Sequence, residues 1–445
     1  QGPDGDAGRL MARIHEGRPH YHFKPYNVGR WLVWGLYALA LVVAPLVWTS
    51  NFMQSMLAQI AIGIVACLSY NILLGQGGML SFGHAVYSGL GAFVAIHTLN
   101  LAAAGTIWLP VSLVPLVGGL AGLFFAALLG YVTTKKAGTT FAMITLGIGE
   151  LVWSMSLMIP EFFGGEGGVS GDRTSGAPWL GVTFGPQIQM YYLAAAYCFA
   201  STAAMFAFTR TPLGRILNAV RDNPERVEFI GYSAQRVRYL AFMVSGLFAG
   251  IAGGLAALTF EIVTAEVVGA LRSGAYLLFV FLGGATFFFG PIIGAVAMVL
   301  ALVLLSEITP AWLLYLGLLF MLMVMYAPGG IASLVMTNLR LAAFGKLGRI
   351  WSAYLALGGC VLAMLAGAAA MIEMVYHLQL DASLGPRLRF AGATIDASAL
   401  DSWFGAGFVF AIGAAMFEFV RRRFVDDWGL VQAEIEREIK RREAL

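Results

Sequence analysis

Residues 71–85 read Asn71-Ile-Leu-Leu-Gly-Gln-Gly-Gly-Met-Leu-Ser-Phe-Gly-His-Ala85, with Gly75, Gly77, Gly78 and Gly83 interrupting what would otherwise be one apolar helix. Glycine permits irregular backbone, and a bilayer tolerates such backbone only against protein or a water-filled cavity. The stretch therefore predicts a broken membrane helix. About two hundred residues later, Leu282-Gly-Gly-Ala-Thr-Phe-Phe-Phe-Gly-Pro291 brackets a short apolar run with glycines again. Paired interrupted helices in corresponding halves point to an inverted internal repeat around a central pathway. Close helix packing through glycine is the plainer reading of either stretch alone.

The rest of the chain has the composition this reading needs. Of 445 residues, 59% are hydrophobic and 11% charged, and the mean hydropathy is +0.79, far too apolar for a soluble globular domain. An all-α polytopic membrane protein is expected. The 55 glycines follow no Gly-X-Y period, which excludes a collagen-like chain. With 27 Lys and Arg against 24 Asp and Glu, no basic surface for nucleic acid is expected. Cys67, Cys198 and Cys360 lie inside apolar runs with neither disulfide nor metal-ligand spacing, and read as small core hydrophobes. No cleavable signal is expected, and the first apolar run, Trp31 to Trp48, reads as a retained helix.

Apolar stretches long enough to cross ~30 Å of hydrocarbon lie near 31–48, 52–74, 78–100, 108–131, 139–159, 189–209, 239–260, 275–306, 311–327, 350–374 and 403–420. The stretch 275–306 is too long for one span and reads as two segments joined at its glycines, which makes twelve crossings. With the N-terminus inside, only Arg173, Arg272, Arg387 and Arg389 among the Lys and Arg fall outside, a strong positive-inside asymmetry. Both termini are then cytoplasmic. Residues 160–188, rich in Gly, Pro and Ser, form an outer loop that covers a path, meets a docking partner or simply connects.

The inside segment from Thr211 to Gly231 reads as two capped amphipathic helices. Thr211 is placed as an N-cap with Pro212 at the first helical position, and Leu213, Ile216, Leu217 and Val220 make one apolar stripe. Asn223 and Pro224 start a second turn that Gly231 closes. Arg215, Arg221 and Arg226 lie on the exposed sides. A loop of this design suits docking into a groove on a soluble partner; a plain topology loop explains the arginines but not the caps.

Six stretches carry a family resemblance: Asn71 to Ala92, Thr145-Leu-Gly-Ile-Gly-Glu150, Gly214 to Gly231, Ser245 to Gly253, Gly283 to Gly294, and Ala327-Pro-Gly-Gly-Ile-Ala332. In this order they resemble the branched-chain amino acid ABC importer permeases of the LivM type. The resemblance covers about residues 30 to 335. It implies a permease subunit of an ATP-driven importer for branched-chain or hydrophobic amino acids in a bacterial inner membrane. The implied partners are a related second permease (LivH-like), two cytoplasmic ATPase subunits, a periplasmic substrate-binding protein and the lipid bilayer. Leu213, Arg215, Ile216, Leu217, Arg221, Asp222 and Asn223 become the ATPase-coupling residues. No cofactor is expected in this chain, because it has no G-x-x-x-x-G-K-[ST] loop; ATP and Mg would be bound by partner subunits.

The expected organisation is a cytoplasmic segment 1–30, a permease core 31–335, an extension 336–420 with two further membrane helices, and a charged helical tail 421–445. The extension departs from the family's usual length. In the tail, Val431, Ile435 and Ile439 form a thin apolar stripe, and a solvated helix is as good a reading as an ATPase contact.

Tyr70, Asn71, Gly75, Gly78, Ser81, His84, Glu150, Gly283 and Gly284 are the candidate translocation-pathway residues. Glu150 stands out, since an ionised carboxylate within a membrane helix is costly, although a packing hydrogen bond to a hydroxyl such as that of Ser81 is the alternative. His15, Glu16, His20 and His22 lack the i,i+4 spacing of a zinc helix, so no metal site is expected. No catalytic constellation is present, and the chain is read as a transporter component, not an enzyme. An ion- or proton-coupled secondary transporter of small polar solutes is the alternative, favoured by the repeat and Glu150 and disfavoured by the capped loop.

Overall fold

Where small residues fall along the apolar helices decides which of them can touch backbone to backbone. The computed structural model describes residues 28–175, 182–327, 329–380, 387–390 and 393–443. The segment 1–27, with His15, Glu16, His20 and His22, lies outside them. The chain divides at Trp48 and Thr49 into two units. The described part of the first is α1 (Val28–Val47), in which Trp34 and Tyr37 meet edge to face.

The second unit holds α2 (Asn51–Asn71), α3 (Ala85–Ala103), α4 (Val114–Thr133), α5 (Gly138–Met158), α6 (Gln187–Arg210), α7 (Pro212–Asp222), α8 (Pro224–Phe229) and α9 (Ala234–Phe260). Then follow α10 (Ala270–Gly283), α11 (Gly290–Leu300), α12 (Trp312–Tyr326), α13 (Gly330–Ala343), α14 (Leu347–Leu380) and α15 (Leu400–Glu443). Among the described residues eight helices are long and apolar enough to cross a membrane, nine if α12 and α13, bent by 50°, count as one. With three shorter apolar helices, Trp31–Val47, Ala270–Gly283 and Gly290–Leu305, they make the twelve segments expected, and 275–306 is split into two short halves. At 1.5 Å per residue, the 14 residues of α10 reach only ~21 Å, short of the hydrocarbon thickness.

α9 is the central post. Gly246, Gly250 and Gly254, spaced at four, face Gly118 and Gly122 of α4. A Cβ at Gly250 would overlap the Gly118 carbonyl, and one at Gly253 the Ser88 carbonyl of α3. Without a hydrophobic drive between helices in lipid, such close backbone approach is what holds them together. At one end of this trio the Tyr239 hydroxyl donates to the Ala127 carbonyl at 2.9 Å, and Tyr131 meets Tyr239. The basic clusters at 135–136 and 236–238 therefore share that end of the bundle.

Two short antiparallel ribbons depart from the all-helical expectation. β1 (Val169–Ser170) pairs with β2 (Ile262–Val263), tying the 160–188 loop to the far end of α9. β3 (Arg387–Phe390) pairs with β4 (Ala393–Asp396) between the two extension helices. Those helices form a hairpin at close approach, Gly367 against Ala406 and Phe410, Gly413 against Met364. Val431 and Ile435 of the tail are buried with Leu341 and Ile350, beside the 2.7 Å Lys346–Glu434 ion pair. Val431 and Ile435 of the tail stripe thus pack on their own chain, which corrects the reading of the tail as a solvated helix.

Candidate translocation and coupling site

The first break begins as a π-helical turn, Ile72–Gln76, that continues α2, and ends at Ala85, where α3 starts. Gly78 has φ +63°, a conformation that side chains with a Cβ rarely adopt. The N–H groups of Gly77, Gly78 and Met79 return to the Leu73 and Leu74 carbonyls, and side chains take up groups further along. Phe82 N–H donates to Thr145 Oγ1 at 3.1 Å and Ala85 N–H to Ser273 Oγ at 3.0 Å. Tyr70 donates its hydroxyl proton to the Ser81 carbonyl at 2.9 Å. His84 Nε2 lies 2.9 Å from Ser69 Oγ, with Tyr70, Tyr87 and Tyr276 around the ring. Gly83 sits against the Thr145 carbonyl and leaves no room for a Cβ. Thr145 and Gly149 of α5 are thereby accounted for as the wall behind the break.

Tyr70, Asn71, Ser81 and His84 are buried. Asn71 Oδ1, Ser81 Oγ and His84 Nδ1 have no hydrogen-bond partner among the described residues. Buried polar atoms are ordinarily hydrogen-bonded, so three around one break make it a polar pocket within an apolar bundle.

The second break ends α10 at Gly283. Gly284, at φ +109°, turns the chain, and α11 begins at Gly290 with Pro291 in its first turn. The two breaks meet, for a Cβ on Gly75 would overlap the Ala285 carbonyl oxygen. Gly284 in turn lies against Gly329 and Gly330, the turn that opens α13. Three glycine turns far apart in sequence converge.

α7 is seated on the start of the first break. Arg221 Nη1 donates to the Gly75 carbonyl at 2.5 Å, and Asn218 Nδ2 donates to Gln76 Oε1 at 3.0 Å. Leu217 is 0% exposed and approaches Gly77, while the Arg221 stem crosses Gly78. Both expected caps are present. Thr211 Oγ1 accepts from Gly214 N–H at 3.2 Å and Asn223 Oδ1 from Arg226 N–H at 3.1 Å. The expectation that the stripe 213–220 is free to enter a partner's groove is corrected, since Leu217 and Val220 are buried on their own chain and Leu213 and Ile216 are half-buried. What the loop exposes instead is Phe229 (89%) and Ile230 (69%), with Tyr232, Arg215, Asp222 and Arg226.

Glu150 is exposed and does not touch Ser81. It lines an open cleft of about 520 Å3 with Trp153, Glu266 and Arg272, residues the sequence reading did not join. The available signal was Arg272, an arginine on the face from which basic residues are otherwise nearly absent. Arg173 fastens the 160–188 loop, donating to the Leu258, Thr259 and Gly185 carbonyls and to Gln187 Oε1. The Asp172 carboxyl, which accepts hydrogen bonds from Ser175 and Thr174, is lowered to about 2.

A polytopic helical bundle with broken helices and a capped helical loop docked on a break is the architecture of a transport permease. The chain belongs to the family described as branched-chain amino acid transport system / permease component, whose profile matches residues 52–329. It is 28% identical over 330 residues to the high-affinity branched-chain amino acid transport system permease protein LivM of Salmonella typhimurium, covering 69% of this chain and 76% of that one. The protein of the same name from Escherichia coli is 27% identical over the same shares. A guanosine ABC transporter permease protein, NupQ of Bacillus subtilis, is 35% identical over 85 residues, 18% of this chain and 25% of that one. No solved structure matches. The chain is thus a multi-pass membrane permease subunit of an ABC transporter, and the ion-coupled alternative is not favoured.

Proposed function

We propose that this chain forms one half of the membrane pathway of an ATP-driven importer for branched-chain and related hydrophobic amino acids in a bacterial inner membrane, with both termini in the cytoplasm. A related second permease forms the other half, a periplasmic binding protein delivers the substrate, and two ATPase subunits hold ATP and Mg. The observation that carries the reading is the seat of α7 on the first break through Arg221 and Gly75.

The mechanism runs outward from that seat. A displacement of α7 by an ATPase is transmitted to Gly75 through one short hydrogen bond and the buried Leu217 side chain. Gly75 bears on Ala285, so both breaks move together, and Gly284 passes the shift to the turn at 329–330. The polar side chains of Asn71, Ser81 and His84 line the break that moves. Tyr70, Asn71, Ser81, His84, Gly75, Gly78, Gly283 and Gly284 then act as the gate of the pathway at the cytoplasmic end. The ATPase-facing patch is Phe229, Ile230 and Tyr232 with Arg215 and Arg226, an apolar surface ringed by charge.

Affinity purification of the chain from its own membranes tests this. The wild type should bring down two ATPase subunits, and the double substitution Phe229→Asp, Ile230→Asp should lose them while the second permease stays. Retention of the ATPases by the double variant would move the docking face elsewhere.

A further inference from the structure

The cleft beside Glu150 adjoins the far end of the first break, where Gly149 packs against Gly83 and Ser273 accepts from Ala85 N–H, away from Gly75–Gly78, on which α7 is seated. Glu150 is eight residues from the end of α5, ~12 Å along the helix. Glu266 belongs to the turn before α10, and Arg272 to the first turn of α10. The volume, about 520 Å3, is within the ~300–1,000 Å3 of small-molecule sites.

The lining separates its charges. Glu150 and Glu266 provide two carboxylates. Arg272 provides a guanidinium, held over the Tyr276 ring at 5.9 Å, and the free N–H groups of the α10 N-terminus add positive character on the same side. Trp153, Leu271 and Leu302 complete an apolar wall. Among the described residues none of the three charged groups forms an ion pair. Charged groups near the hydrocarbon without mutual partners are costly to keep, and opposite signs spaced across an apolar cleft fit a ligand carrying both.

We propose that this cleft receives an apolar α-amino acid as its zwitterion. Arg272 and the α10 N-terminus take the carboxylate, Glu150 and Glu266 take the ammonium, and Trp153, Leu271 and Leu302 take the side chain. The assignment rests on the importer reading above and makes the cleft an entry site on the periplasmic side of the gate. It gives Glu150, next to the Gly149 that packs on Gly83, the role of a substrate carboxylate beside the first break.

The test uses the full complex of both permeases and both ATPases, reconstituted without nucleotide and irradiated with a diazirine analogue of leucine. Labelled peptides are expected within 150–153 or 264–275, suppressed by excess leucine. Arg272→Gln should reduce that labelling by ~10-fold or more, and Arg272→Lys should restore much of it, since a charge-assisted bond is at stake. Leucine-competed label elsewhere, unchanged by Arg272→Gln, overturns the site and leaves the importer reading standing. An Arg272→Gln complex that no longer holds the second permease also overturns it, by making the cleft a subunit joint. Failure of the wild-type complex, supplied with its binding protein and ATP, to take up leucine overturns both.

Discussion

Arg221 and Gly75, separated by 146 residues, are joined by a 2.5 Å hydrogen bond from guanidinium to carbonyl. The bond links the arginine-rich loop to the turn on which the two glycine breaks meet. Gly75 suits the position because a side chain there would collide with both Asn71 and Ala285.

Removing the guanidinium should disconnect the loop from the gate. For Arg221→Ala we expect ATP-dependent uptake to fall by ~10-fold or more, the equivalent of losing one charge-assisted bond of ~1.5–3 kcal/mol. Membrane abundance and ATP hydrolysis should persist, so uptake per ATP consumed is the measurement. An unchanged ratio would separate α7 from coupling.

The α4–α9 contact predicts a contrast between glycines. Gly250→Leu must push two backbones apart and should lower the melting temperature in detergent markedly, with overpacking of ~1–3 kcal/mol or more. Gly147→Ala, on a helix face with nothing within 4 Å, should be neutral or stabilising by ~0.5–1 kcal/mol. Equal effects would mean the zipper is not the post of the bundle.

Arg173 is a fastener for the outer loop. Arg173→Ala strands the Leu258 and Gly185 carbonyls and should cost ~2–3 kcal/mol locally. Limited proteolysis should then cut within 160–188 far faster than in the wild type, with the α7 loop unaffected. Equal cutting rates would make the strap incidental.

The extension carries a topology prediction. If α14 and α15 both cross, a cysteine at Leu388 is labelled from outside by an impermeant maleimide and one at Leu430 is not. Labelling of both or neither would revise the order of spans.

Much of this molecule was legible as sequence, and the limits have physical causes. The spans follow from apolar runs, and the caps at Thr211 and Asn223 were readable because they are local, three residues from donor to acceptor. The destination of the stripe was not. Leu217 looks the same whether it enters a partner's groove or seals its own break, and only tertiary packing decides. Glycines 75–83 and 283–291 were legible as breaks about a shared axis, and 275–306 as two short segments, but the seat of α7 on the first break was not, because it depends on tertiary contacts of Arg221 and Asn218. Glu150 was visible by its cost. Its companions Glu266 and Arg272, more than a hundred residues away, carry no local signal that joins them.

The central claim is that this permease works by ATP hydrolysis in partner subunits. The direct measurement is uptake of radiolabelled leucine into proteoliposomes containing this chain, its second permease and the two ATPases, with the binding protein and ATP supplied or withheld and ion gradients collapsed. Accumulation that requires ATP and disappears without this chain is the predicted result. Uptake that proceeds without ATP and follows an imposed proton or sodium gradient would contradict the account.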